Sequence, residues 1–144
     1  MELLIPEKGV IVMNILTPRG FLTVGGVILV LLGLLGFVVI GPTPQQSLFG
    51  DFWWFDNVEN VAHLLLGVVA LALVYVVRDA TLEKWVTVLV GALALVVGLL
   101  NFQGEYMFGG ANLESPADMV LHLVVGVWGL YAGFTGGKAP AKAA

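Results

Sequence analysis

The chain has 144 residues, of which 59% are hydrophobic and 11% are charged, whereas soluble domains are about half apolar and about a quarter charged. A soluble core has no room for this much apolar surface, so the composition indicates a protein whose solvent is lipid. The net charge of −4 argues against a nucleic-acid binder, which needs a basic surface, and the absence of cysteine excludes disulfides and thiolate metal sites.

The elements that the sequence predicts are all helices, and they begin after an N-terminal arm at residues 1–16. The natural start of this arm is either Met1 or Met13, and Thr17-Pro18 predicts a capped helix start. Four apolar runs then follow, each near the length of about 20 residues that crosses a bilayer as a helix. They predict an all-α fold, an up-down-up-down four-helix transmembrane bundle at residues 17–134, followed by a flexible cytoplasmic tail at residues 135–144. The predicted helices lie at about residues 21–40, 58–77, 85–102 and 117–134.

Basic residues are confined to one side of the predicted bundle, which gives an orientation. With four spans, the loops at about residues 41–57 and 103–116 contain no Lys or Arg and carry Asp and Glu instead. Basic residues retain loops in the cytoplasm. We therefore expect a multi-pass protein of the cell membrane with both termini cytoplasmic. The six basic residues are Lys8, Arg19, Arg78, Lys84, Lys138 and Lys142.

The first predicted outer loop is rich in aromatic residues, namely Phe49, Phe52, Trp53, Trp54 and Phe55. Aromatic side chains favour the membrane–water boundary, so we interpret the loop as an anchor that rests at the outer interface. The alternative interpretation is a lid or a surface that docks a partner.

The most informative pattern occurs twice and contains the only two histidines of the chain. An acid is followed after four residues by a histidine and after four more by a glycine, so the three share one face of a helix. A weaker likeness relates Gly33–Phe37 to Gly98–Phe102. The pattern predicts two repeated helical hairpins, with helices two and four diagonal and their histidines meeting at one depth. The two copies are Glu59, His63 and Gly67, and Asp118, His122 and Gly126.

Each of these polar residues has a purely structural interpretation. Asp56 with Glu59, and Ser115 with Asp118, have the spacing of capping boxes at the starts of helices two and four. The histidines then form inter-helix hydrogen bonds that hold the bundle together.

Three functional interpretations compete with this one. First, His63 and His122 ligate the iron of a haem b, with Gly67 and Gly126 giving the macrocycle room beside the backbone. Second, the two acid–imidazole pairs, His63 with Glu59 and His122 with Asp118, chelate a divalent metal. Third, the histidines serve a proton or solute pathway. The sequence does not choose among these interpretations.

The same residues resemble a known family. The pattern Asn60-x-x-His63-x-x-x-Gly67, followed by Ala117-Asp118-x-x-x-His122-x-x-x-Gly126, is similar to DUF4383, a family of small bacterial and archaeal four-helix membrane proteins. Leu48-Phe49-Gly50 also matches, and the likeness covers about residues 17–134. Met119 departs from the pattern, which has Asn after the Asp. The resemblance implies a four-span membrane protein and no assigned activity.

From these patterns we expect a membrane protein that is not an enzyme. The first hypothesis is a structural or accessory subunit, with the lipid bilayer and either other membrane proteins or further copies of the chain as its partners. The alternative hypothesis is a protein that binds haem or a metal through His63 and His122.

Overall fold

The computed structural model describes residues 14–104 and 106–136. For residues 106–108 it describes the backbone only. Its helices are α1 (Pro18–Gly36), α2 (Asn57–Ala72, continued by a π-helical turn at Leu73–Val77), α3 (Ala80–Leu100) and α4 (Ala117–Thr135). All four are long and apolar enough to cross a membrane, which confirms the predicted four-helix transmembrane bundle. Most of the predicted arm and tail, with Met1, Met13, Lys8, Lys138 and Lys142, lies outside the described residues.

Two helices begin earlier than predicted because polar caps start them. The Thr17 side chain accepts a hydrogen bond from the Gly20 N–H, so α1 starts at Pro18, as the Thr17-Pro18 pair indicated. The Asp79 carboxylate accepts from the N–H groups of Thr81 and Leu82, so α3 starts at residue 80 rather than 85. The sequence prediction placed the helix starts by hydropathy and therefore left out these first, more polar turns.

Helices pack as two close hairpins, α1 with α2 and α3 with α4. Glycines lie at the contacts, where a methyl group would collide with the partner helix. A Cβ on Gly67 would come within 2.7 Å of the Gly26 carbonyl oxygen and 2.8 Å of the Val30 nitrogen. A Cβ on Gly126 would come within 2.8 Å of the Leu95 nitrogen. In lipid, where burying apolar surface gives helices no advantage, this close approach drives association.

The two hairpins make equivalent contacts at equivalent residues. A residue of α1 in one contact always corresponds to the residue of α3 at the same sequence offset, and a residue of α2 corresponds in the same way to one of α4. This is the packing that a copied hairpin would have, although the duplication itself stays a prediction. Gly33 meets Leu64 as Gly98 meets Leu123, Gly67 meets Val30 as Gly126 meets Leu95, and Gly26 meets Leu71 as Gly91 meets Leu130.

The hairpins join each other at both ends of the bundle. We call the end with residues 37–56 and 101–116 the long-loop end, and the end with the turn at residues 78–79 the short-loop end. At the short-loop end, Phe21 packs edge to face on Trp128, with ring centroids 4.6 Å apart. Arg19 there forms an ion pair with Glu83 at 3.0 Å and donates to the Val74 carbonyl oxygen at 2.9 Å. One arginine therefore links three helices.

The long-loop end contains structure that the sequence analysis did not predict. Strands β1 (Tyr106–Phe108) and β2 (Ala111–Leu113) form a short antiparallel ladder. Gly109 and Gly110 make its tight turn, with φ angles of 62° and 94° that other residues rarely adopt. The Asn112 N–H donates to the Asp56 carboxylate at 2.8 Å, so this ladder is joined to the start of α2.

Candidate functional site

A cavity of about 220 Å³ lies between the two hairpins, where the backbone of α2 rarely comes close to those of α3 and α4. Phe21 and Trp128 line it toward the short-loop end, and Phe55, His63, Asp118 and His122 line it toward the long-loop end. The remaining wall consists of leucine, isoleucine, valine, alanine and glycine. Since both His63 and Ala70 line it, the cavity follows α2 for about 10 Å. It is an apolar cavity with polar groups at one end.

Both predicted histidines lie on this cavity and have the same hydrogen bond. The His63 Nδ1 lies 2.7 Å from the Glu59 carbonyl oxygen, and the His122 Nδ1 lies 2.7 Å from the Asp118 carbonyl oxygen. A carbonyl oxygen only accepts, so Nδ1 carries the proton in each ring, and Nε2 of the neutral ring is then an acceptor. Neither Nε2 has a hydrogen-bond partner within the described part of the chain. The predicted inter-helix bonds of the histidines are therefore wrong, because each ring bonds to its own helix.

The aromatic loop faces two ways. Phe55 is 2% exposed and its ring stacks on His63, with centroids 4.9 Å apart and planes 3° apart. Trp53 packs edge to face on Phe55 at 5.2 Å. Leu48, Phe49 and Phe52 are exposed. Phe55 therefore forms part of the cavity wall, and the anchor and lid interpretations of the loop both stay predictions.

Asp118 holds the long-loop end to the start of α4. Its Oδ1 accepts from the Trp53 indole N–H at 3.0 Å, and its Oδ2 accepts from the Glu114 N–H at 2.8 Å. The predicted Ser115 cap is wrong, since Pro116 occupies the cap position and no side chain caps the helix. Asp118 instead accepts from the backbone N–H of Glu114, which lies one residue upstream of Ser115.

Glu59 belongs to the predicted capping box of α2, which is confirmed. The Asp56 carboxylate accepts from the Glu59 N–H at 2.9 Å, and Glu59 Oε2 accepts from the Asp56 N–H at 3.2 Å. Glu59 is 2% exposed, and its Oε1 has no hydrogen-bond partner among the described residues. Glu59 does not line the cavity.

Glu114 is the polar residue of this end that the sequence analysis counted only as a loop acid. It is 3% exposed and accepts from the Asn112 side-chain amide, and its carbonyl oxygen accepts from the Asn101 amide at 3.2 Å. Burial, together with the hydrogen bond and the negative charge of Asp118, raises the pKa of the Glu114 carboxyl to about 8. The signal that would have found Glu114 is its position directly before the second acid–histidine pattern.

Comparison with known proteins gives one match. A family model described as "Domain of unknown function (DUF4383)" matches residues 19–135. The chain belongs to the DUF4383 family. No curated protein and no solved structure matches it.

The DUF4383 chain uses Gly67 and Gly126 differently from the prediction. Both glycines were expected to leave room for a macrocycle next to the histidines. Each instead faces the other helix of its own hairpin, and neither lines the cavity. The prediction is wrong because a glycine one turn below the histidine lies on the packing face of the helix, where it allows close approach of the backbones.

The DUF4383 chain also does not assemble the four predicted metal ligands. Within residues 14–104 and 106–136, no three His, Asp or Glu residues come together as a group that would hold a metal ion. The physical reason is that helix starts use the carboxylates: Glu59 accepts from the Asp56 N–H, and Asp118 accepts from two N–H groups. His63 and His122 remain the two groups with a free nitrogen at the cavity.

Proposed function

We propose that this DUF4383 protein is a multi-pass membrane protein that binds a small, mainly apolar molecule between its two hairpins and does not catalyse a reaction on it. The observation that carries the proposal is the cavity itself, an apolar wall that ends at two fixed imidazoles. Ionisable residues within a membrane are costly and usually face a functional cavity.

The size of the cavity supports an occupant. The space measures about 220 Å³ and is partly open to the exterior of the bundle, so a small molecule can reach it. Apolar cavities do not bind water but do take up apolar molecules. Filling this space with a molecule of matching chemistry therefore stabilises the bundle.

The hydrogen bonds of the acids argue against a catalytic carboxyl at the cavity. A carboxyl that acts as a general acid or base must be free to exchange a proton with a substrate. At the cavity, Asp118 accepts two hydrogen bonds from the protein, and both histidines have one nitrogen bonded to their own backbone. What remains is a pair of acceptor nitrogens, which suffice to orient a ligand.

A haem b is a weaker candidate for the occupant. Pockets for drug-sized ligands measure about 300–1,000 Å³, and a haem, which is larger than a typical drug, would have to separate the hairpins. Its two propionates also need positive partners. The long-loop end next to the histidines instead carries Asp56, Glu59, Glu114 and Asp118, and the described basic residues lie at the other end.

A second candidate function is that of an accessory subunit in a larger membrane assembly. The observation that favours it is the exposed apolar surface of the aromatic loop, formed by Leu48, Phe49 and Phe52. Arg19, Arg78 and Lys84 all lie at the short-loop end, which supports a cytoplasmic location for that end. The exposed loop would then meet a partner, or a second copy of the chain, on the outer side.

The test of the binding function compares two variants on the same helix. Gly25 lines the cavity and a Cβ there meets nothing within 4 Å, so Gly25→Leu places a side chain in the cavity. Val27→Leu is the control, because Val27 is exposed and does not line the cavity. The three proteins are extracted with their native lipids in polymer nanodiscs, and the copurifying small molecules are measured by mass spectrometry.

We expect a molecule that copurifies with the wild type and with Val27→Leu and is depleted in Gly25→Leu. Equal amounts in all three proteins would contradict the proposal. An absorption spectrum and elemental analysis of the same samples test the alternatives, since a Soret band or a stoichiometric metal would replace the proposed occupant with haem or a metal ion.

A further inference from the structure

We propose that the occupant of the cavity carries a hydrogen-bond donor, a hydroxyl or an ammonium group, at the end that meets His63 and His122, and that acids are excluded. This inference rests on the proposed binding function and narrows it to a class of ligand. It follows from the protonation of the two rings and from the charges around them.

The two rings offer acceptors to the cavity. Each Nδ1–H already donates to a carbonyl oxygen of its own helix, at 2.7 Å in both cases. The remaining nitrogen of a neutral ring has a lone pair and no proton. A ligand carbonyl or ether would meet a second acceptor there, whereas a hydroxyl or ammonium group would donate to it. In an apolar surrounding an unmatched acceptor is costly, so this difference decides which head group binds.

The charges around the rings exclude a negative head group. The Asp118 carboxylate, which is 1% exposed and accepts two N–H hydrogen bonds, lines the same end of the cavity as the histidines. Among the described residues, the nearest basic side chain in the bundle belongs to the short-loop end, at the far side of the cavity. Coulomb interactions are strong in such a weakly polar interior, so a carboxylate or phosphate would be repelled and an ammonium attracted.

The shape of the cavity sets the orientation of the ligand. Its polar groups lie at the long-loop end, and the wall from there to Phe21 and Trp128 is apolar over about 10 Å. The head group therefore meets the imidazoles and a short hydrocarbon tail points toward the short-loop end. Octanol, octylamine and octanoate are suitable probes because they share one tail and differ only in the head group.

The two histidines also provide the readout, because the chain contains no others. Protein labelled with ¹⁵N-histidine is placed in phosphatidylcholine nanodiscs and titrated with each probe. We expect octanol or octylamine to shift the Nε2 resonances in a saturable way while the Nδ1 resonances stay in place. Octanoate should bind at least about tenfold more weakly than octanol, because the loss of one hydrogen bond reduces the affinity by about that factor. Stronger binding of octanol identifies a hydroxyl, and stronger binding of octylamine identifies an ammonium group.

Two further measurements separate the possible failures. His122→Phe keeps a flat ring but removes one of the two acceptors, so it should reduce the preference for octanol over octanoate without closing the cavity. Xenon, detected by ¹²⁹Xe NMR, measures whether the cavity takes up an apolar guest at all. If xenon binds and octanoate binds as tightly as octanol, the donor inference is overturned and the binding function stands. If neither xenon nor any probe binds, the proposed function is overturned as well.

Discussion

Replacing Gly67 by alanine tests whether this glycine holds α2 against α1 or leaves space next to a ligand. A Cβ on Gly67 would lie 2.7 Å from the Gly26 carbonyl oxygen, 2.7 Å from the Val30 Cγ2 and 2.8 Å from the Val30 nitrogen. Two of these atoms belong to the backbone and cannot turn away as a side chain would. Gly25 offers a matched control, because it also lies in a membrane helix and its Cβ meets nothing within 4 Å.

The expected magnitudes have opposite signs. Alanine in place of glycine favours a helix by about 0.5–1 kcal/mol, which is the whole effect expected for Gly25→Ala. Overpacking costs about 1–3 kcal/mol, and backbone contact puts Gly67→Ala at the upper end of that range. After subtraction of the helix gain, Gly67→Ala should destabilise the protein by about 2 kcal/mol. Gly126→Ala should behave in the same way, since its Cβ would lie 2.5 Å from the Leu95 Cγ.

The assay is equilibrium unfolding in mixed micelles of dodecyl maltoside and dodecyl sulfate, followed by tryptophan fluorescence. We expect the midpoint for Gly67→Ala to move to a lower sulfate fraction and that for Gly25→Ala to move slightly higher. If Gly67→Ala proved as stable as Gly25→Ala, the packing argument for both Gly67 and Gly126 would be refuted. The room that sequence analysis assigned to a macrocycle would then have to be reconsidered.

Three further predictions concern the polar groups. Because the pKa of Glu114 is raised from 4.5 to about 8, the folded state favours the protonated carboxyl, and the free energy of unfolding should fall as the pH rises from 4.5 to about 8. Glu114→Gln should flatten the measured dependence of stability on pH across this window. Trp53→Phe removes the indole donor to Asp118 and should cost about 1.5–3 kcal/mol in micelle unfolding, whereas Trp54→Phe, whose indole makes no hydrogen bond among the described residues, should cost little. Arg19→Gln leaves a buried carboxylate without its cation, and because the arginine is 52% exposed we expect a loss of only about 1–2 kcal/mol, measured as a lower thermal midpoint.

The sequence was sufficient to predict the four crossings, because apolar length is a property of each segment alone. It was also sufficient for the Asp56–Glu59 capping box, whose partners are three residues apart and need no tertiary contact. The predictions of the crossings and of the capping box succeeded because local pattern and membrane thickness together leave few alternatives. His63 and His122 both line one cavity, and their functional roles stay predictions.

The remaining features depend on contacts between distant segments. Trp53 reaches Asp118 and Asn112 reaches Asp56, and neither pairing has a signature in the local sequence. The same holds for Phe55, a loop aromatic that turns inward to stack on His63 while its neighbour Phe52 stays exposed. Hydropathy assigns all the loop aromatics to the membrane interface, and only the folded loop distinguishes them.

Met119 and Asn101 occupy the positions of the second hairpin that correspond to Asn60 and Gly36 of the first hairpin. In the first hairpin, Asn60 is fully buried against Gly36, whose Cβ would collide with the asparagine side chain. The equivalent positions of the second hairpin carry Met119 and Asn101, and Asn101 is again fully buried. Each hairpin therefore has one buried asparagine at the long-loop end, supplied by its second helix in one case and by its first helix in the other.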